Sequence, residues 1–130
     1  MSTKKEPLWI EEREVLAIHD RLLAVHGGAP GLRDRGLLQS RLARAYAASR
    51  DIIGMAALYT AGIVRNHPFV DGNKRTGFVV GVLFLELNGF DFKASEEDAT
   101  QAIWDLASGT LDEAAYAAWL RANVRRQRGR

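Results

Sequence analysis

Cysteine is absent from the 130 residues, which excludes disulfides and thiolate metal sites and leaves a reducing cytosol as a fitting compartment. Long hydrophobic runs are also missing. The longest, "GFVVGVLFL" from Gly77 to Leu85, has nine residues, about half of a membrane span, and reads as a buried helix. The N-terminal "MSTKKEPLWI" has no apolar stretch ahead of a cleavage-like site, so no secretory leader is expected. Only three prolines interrupt the chain, and no alternating pattern suggests paired strands.

What is present suits one globular domain over residues 1–130, with 47% apolar and 26% charged residues. The net charge of +2 hides an asymmetry. Five arginines fall in the last ten residues, and the other 120 carry 13 basic and 16 acidic side chains. Flexible ends are expected over about residues 1–7 and 123–130. The arginine-rich tail reads as a solvated terminus, with an acidic partner or nucleic acid as the alternative.

Apolar spacing predicts six helices and an all-α fold. The first covers about Ile10–Val25, with Val15, Ile18, Leu22 and Val25 on one face and His19 and His26 as structural or surface groups. "GGAPG" ends it, and Asp34 can cap a second helix packed through Leu37, Leu38, Leu42 and Tyr46. A third runs from about Asp51 to Asn66, where Pro68 bars continuation. The fourth, from about Asn73 to Asn88-Gly89, is apolar nearly all round and is expected to be the central buried helix. Ser95 with Asp98, and Thr110 with Glu113, read as capping boxes opening the last two helices. "GFDFKA", from Gly89 to Ala94, is the one short extended piece expected.

Chemistry concentrates in "RNHPFVDGNKRTG", Arg65 to Gly77, between the third and fourth helices. A helix start has unpaired N–H groups and partial positive charge, which suits an anion. Lys74 and Arg75 add a mobile charge and a planar fork there, expected to face outward if Phe78 and Val82 face the core. Gly72 lets the backbone approach a ligand. Asn73 can donate its amide to a phosphoryl oxygen while its carbonyl caps the helix. Asp71 can hold Mg²⁺ between itself and phosphates, or simply complement the helix start. His67 can accept a proton near neutrality and act as general base, or cap its own helix. Phe69 reads as the anchor of the loop, and Arg65 as a partner of Asp71 or of the ligand. The set points to nucleotide or phosphate chemistry, with kinase, nucleotidyltransferase and phosphohydrolase all compatible.

The stretch "HPFVDGNKRTG" resembles the active-site signature of the Fic fold, and its lysine after the asparagine resembles the Doc (death on curing) branch. "GLRDRGLLQSRLARA", "AALYTAGIVRNHPF" and "VLFLELNGF" are similar to that branch on both sides of the signature. The resemblance implies a compact six-helix Fic/Doc-like bundle and a toxin of a type II toxin–antitoxin module in the bacterial cytoplasm. It implies a Ser/Thr protein kinase that moves the γ-phosphate of ATP, with Mg²⁺, onto a threonine of elongation factor Tu and so blocks translation. Carried over, His67 is the base, Asp71 holds the metal, and Gly72, Asn73, Lys74 and Arg75 clamp phosphates, with Arg65 assisting and Phe69 fixing the loop. AMP-transferring Fic proteins usually have glycine where Lys74 stands and a second arginine where Phe78 stands. AMP transfer to a protein hydroxyl is therefore the alternative, followed by a catalytically inactive binding module. The implied partner is a Phd-type antitoxin whose disordered C-terminal segment folds on the toxin, with Leu22 and Leu23 as candidate groove residues. DNA is then contacted only through the antitoxin, and no membrane is involved.

Overall fold

Small side chains decide which helix lies at the centre. In the computed structural model, which describes residues 6–48 and 51–128, every residue of helix α3 (Ile52–Asn66) from Met55 to Val64 except Leu58 is buried. Ala56, Ala57, Ala61 and Gly62 keep its surface low, so neighbours close in from several sides at interior packing density. Helix α4 (Asn73–Leu87) lies against α3 through Gly77 and Gly81. A Cβ on Gly81 would collide with Thr60 Oγ1 and stand 3.2 Å from Ala56 O. Thr60 Oγ1 also donates to Gly77 O at 2.8 Å, tying the two helices together.

The central helix is thus α3, which corrects the expectation that α4 holds that place. Helix α4 turns Val80, Phe84 and Leu85 inward, while Phe78, Val79, Val82 and Leu83 remain half-buried. A continuous apolar run measures hydrophobicity, whereas enclosure on all sides needs side chains small enough for close approach. Helices α2 (Arg35–Ala47), α5 (Glu96–Ser108) and α6 (Glu113–Ala122) pack on α3, and α1 (Glu12–His26) packs mainly on α4. The result is a six-helix all-α bundle, as the apolar spacing predicts. Among the described residues no helix is long and apolar enough to cross a membrane.

Local capping follows the sequence at the start of α2 and at both ends of α5. Asp34 accepts from Leu37 N at 2.9 Å, Ser95 accepts from Asp98 N at 3.0 Å, and Gly109 closes α5 in the left-handed conformation. Helix α1 starts two residues later than expected. Glu11 and Glu14 form its capping box, and Ile10 lies outside it, buried, with its N–H on Tyr59 Oη at 3.0 Å. The box expected at Thr110 does not form. Thr110 is drawn into the turn after α5 by Ser108, and Asp112 caps α6 by accepting from Ala115 N at 2.8 Å.

Pro7 and residues 123–127, expected to be flexible, hold defined places. Strand β1 (Phe90–Phe92) pairs antiparallel with β2 (Val124–Arg126), with Asp91 opposite Arg125. Arg126 lies 5.3 Å from the Phe90 ring centroid, and Gln127 N donates to Gly89 O at 2.9 Å. Residues 124–127 of the expected free tail are therefore folded back, held by the strand pairing, by the Arg126–Phe90 contact and by Gln127, whose Nε2 donates to Glu86 O at 3.0 Å. At the other end Pro7 is buried and Leu8 exchanges two hydrogen bonds with the Asn88 side chain. Residues 1–5 lie outside the described residues.

Opposite effects are expected for two glycine-to-alanine changes. Gly81→Ala forces α3 and α4 apart and should cost about 1–3 kcal/mol. Gly36→Ala, on the exposed first turn of α2 with Asp34 Oδ1 at an ordinary 3.6 Å, should gain up to about 1 kcal/mol of helix propensity. Urea denaturation of both variants measures this, and equal midpoints would disprove the close α3–α4 approach.

Candidate active site at the start of helix α4

Helix α3 stops in a conformation that its last residue does not favour. His67, the C-cap, has φ 53° and ψ 58° and is the only non-glycine residue with positive φ among the described residues. A side chain bearing a Cβ is held there at a cost of about 1–2 kcal/mol. The Arg33 guanidinium supplies the hold. Its Nε donates to His67 O at 2.7 Å and its Nη2 to Asn66 O at 2.9 Å. These carbonyls carry the partial negative charge of the α3 terminus, so a cation is well placed on them. The backbone around Arg33 continues the contact. Arg33 N and Asp34 N both donate to Pro68 O, Val70 N donates to Gly31 O, and Leu32 bridges to Phe69.

From below, the loop is fixed by its own aromatic and by α1. Phe69 is buried and stacks on the His19 ring, with centroids 3.8 Å apart and planes 11° from parallel. His19 Nε2 lies 2.8 Å from Asp71 O. A carbonyl only accepts, so Nε2 carries the proton. Asn73 takes a different place from the one its sequence position suggests. Its Oδ1 accepts from Phe69 N at 3.0 Å and its Nδ2 donates to Phe69 O at 2.9 Å, so it pins the loop and does not cap the helix with its carbonyl. The N-cap is Gly72, whose φ of 79° suits a residue without Cβ. Intrahelical bonding starts with Thr76 N on Gly72 O at 3.0 Å. The N–H groups of Asn73, Lys74 and Arg75 therefore have no helical acceptor.

These residues open onto a cleft of about 820 Å³. His67, Asp71, Gly72, Asn73, Lys74 and Arg75 line one end of it. Asp71 is exposed, and its carboxylate accepts from Ala29 N at 3.1 Å and Gly72 N at 2.8 Å. Those two backbone bonds, helped by the nearby His19 and Lys74, hold its carboxyl below the usual carboxylate range, so it is ionised at neutral pH. Lys74 is half-buried with Nζ 4.7 Å from the Trp104 ring centroid, and Arg75 is exposed. Phe78, expected to face the core, instead lines the cleft and packs edge-on against Phe92 at 5.4 Å.

Arg65 is not brought to this end. Its guanidinium points to the α5–α6 turn, 3.8 Å from where a Gly109 Cβ would lie, and Asp71 is bonded to backbone N–H groups instead. Leu22 lines the cleft, while Leu23 packs beneath Gly28 and Gly72. Three contributors escaped the sequence reading: Arg33, His19 and the Ala29 N–H. All lie far from the loop in sequence, and no spacing rule links them to it. Only the cluster of glycines and Pro30 ahead of Arg33 signalled that a turn there could meet another loop.

The Fic/DOC family model matches residues 9–85, from just before α1 to near the end of α4. That span contains the loop, both helices that flank it and the Gly31–Asp34 segment that grips it. The chain is 32% identical over 117 residues to the protein kinase doc of Escherichia phage P1, covering 86% of this chain and 92% of that protein. It is 38% identical over 74 residues to the toxin Doc of Mycolicibacterium smegmatis, covering 52% of this chain and 57% of that protein. With the match spanning most of the bundle and all of the loop that lines the cleft, the chain belongs to the Fic/Doc family.

Proposed function

We propose that this chain is a toxin of a type II toxin–antitoxin module and acts as a Ser/Thr protein kinase. It transfers the γ-phosphate of ATP to a threonine of elongation factor Tu and thereby stops translation. The observation that carries this reading is one cleft end where an exposed histidine stands beside a helix start bearing Lys74, Arg75 and three uncommitted N–H groups. The kinase name of the phage P1 relative supports the reaction class.

In this mechanism His67 removes the proton from the acceptor hydroxyl. The hydroxyl oxygen forms a bond to the γ-phosphorus, the bond from that phosphorus to the β–γ bridging oxygen breaks, and ADP leaves with the charge. Lys74, Arg75 and the first N–H groups of α4 bind the phosphates and offset their charge in the transition state. Asp71 fits a Mg²⁺ role because it is an ionised, exposed carboxylate on the same wall, and one carboxylate plus phosphate oxygens and waters suffices for that ion. Bound there, the ion would neutralise phosphate charge. Asn73 and Phe69 act indirectly, by keeping the loop in register with the helix start.

AMP transfer would require the phosphates to lie further along α4. One turn beyond Lys74 the wall is Phe78, which offers no charge to a phosphate. Phosphate contacts are thus concentrated at the very start of the helix, which favours γ-phosphate transfer. A Phd-type antitoxin controls the enzyme by folding a helix onto it, in the helix-in-groove mode, and DNA contacts belong to that partner.

ATP labelled at the α or the γ phosphate separates the two transfers when incubated with elongation factor Tu. Label is expected on the target only from the γ position, and is expected to fall about 10²- to 10⁴-fold with His67→Ala. Retention of the α label alone would refute kinase activity.

Lys74→Gly should reduce phosphorylation by the loss of a charged contact of about 1.5–3 kcal/mol. The fold should survive, since glycine near a helix start costs at most about 1 kcal/mol. Initial rates and thermal midpoints test this, and an unchanged rate would remove Lys74 from the phosphate ligands.

Arg33→Ala should act through His67 without touching substrate. With the grip on His67 O gone, kcat should drop about tenfold or more while KM for ATP changes little, and Arg33→Lys should recover part of kcat. A parallel rise in KM would show that the loop as a whole had collapsed.

A further inference from the structure

The cleft has a second end with different chemistry. Phe78 and Phe92 form its floor, and Thr100, Ile103 and Trp104 of α5 form its wall. Trp104 is 58% exposed, although it is among the largest apolar side chains in the molecule. The other two tryptophans are packed against rings: Trp9 on Tyr46 and Phe84, Trp119 on Phe92 and Tyr116. Among the described residues Trp104 has only the Lys74 ammonium over its ring, at 4.7 Å. An exposed indole on the wall of a cleft, with a cation from the phosphate-binding end resting on it, is a flat surface awaiting a flat ligand.

We propose that Trp104 is the stacking platform for the nucleobase of the bound nucleoside triphosphate, and that a purine is the base it takes. The proposal rests on the nucleotide-dependent reading above and adds where the base lies and which residue selects it. Two features fix the orientation. Lys74, Arg75 and the free N–H groups attract phosphates to the start of α4. Glu96, in the first turn of α5, lines the cleft away from Lys74, and its carboxylate repels phosphates from that end. A nucleotide therefore lies with its triphosphate at α4 and its base against α5.

Lys74 links the two ends. An exposed cation–π contact is weak, so the ammonium exchanges the indole for a phosphate oxygen as the base takes over the ring face. The base then has Trp104 against one side and the Phe78–Phe92 floor beneath it. Thr100 lies one helical turn before Trp104 on the same strip of α5, and its hydroxyl can bond the edge of the base. A cleft of about 820 Å³ is within the range of sites that enclose a ligand of this size. A purine gains more from such a shelf than a pyrimidine because its fused ring covers more of the indole.

Calorimetric titration of the full chain with two probes tests the proposal: a β,γ-imido analogue of ATP with Mg²⁺, and inorganic tripolyphosphate with Mg²⁺. Trp104→Ala should weaken the ATP analogue about ten- to hundredfold and leave tripolyphosphate within about twofold. Trp104→Phe should stay within a few-fold of wild type for both, and the imido analogue of CTP should bind wild type more weakly than that of ATP. Trp104 is exposed on α5, so the fold should survive its replacement, and a thermal midpoint for each variant checks this. Equal weakening of both probes would overturn the proposal, since Trp104 would then act only by holding Lys74. Unchanged binding of the ATP analogue to Trp104→Ala would also overturn it, while leaving the kinase reading intact. Wild-type protein that binds neither probe would overturn both.

Discussion

The cleft depends on how one short segment grips another. Gly31–Asp34, between α1 and α2, lies along the loop from His67 to Val70 and bonds to it through backbone and side chain alike. Its Arg33 holds the two carbonyls at the end of α3, including that of the residue in the left-handed conformation. Without that grip His67 would relax toward ordinary backbone angles and its ring would leave the cleft. Strain at one residue is sustained here because several independent contacts over-determine it.

The remaining contacts divide the labour. Asn73 spends its amide on Phe69, and Phe69 spends its ring on His19. His19 in turn holds Asp71 O, while Ala29 N holds the Asp71 carboxylate. The loop is thus tied to α1, to the segment after α1 and to the first turn of α4. Among the described residues this leaves the His67 ring, the Arg75 side chain and the first N–H groups of α4 without a hydrogen-bond partner at the cleft, while the Lys74 ammonium rests on the Trp104 ring. On the proposed reading, a charged ligand benefits from that separation, since groups engaged in the fold need not be released on binding.

The α3–α4 contact sets the angle at which the helix start is presented. Gly77 and Gly81 bring α4 onto α3 at backbone distance, and Thr60 bonds across the seam. Because α3 is enclosed on all sides, α4 is left with a half-buried flank. That flank carries Phe78 and becomes the floor of the cleft. The same packing that removed α4 from the centre of the core gave it a face on the cleft.

The sequence by itself determined what is local. Helix count and class follow from apolar spacing, the ends of α2 and α5 from Asp34, Ser95 and Gly109, and the break after Asn66 from Pro68. The cluster from His67 to Arg75 was legible for the same reason: a loop, a glycine and a helix start follow one another directly along the chain. Tertiary structure decided what depends on distant partners. It set Arg33 on His67, tied the Asn73 amide to Phe69, sent Arg65 toward Gly109, and joined the arginine-rich end to β1. It also brought Trp104 of α5 to Lys74 of α4. Spacing rules report the geometry of one helix or one turn. They carry no information about which side chain from elsewhere will fill the space beside it, and that is settled only when the helices pack.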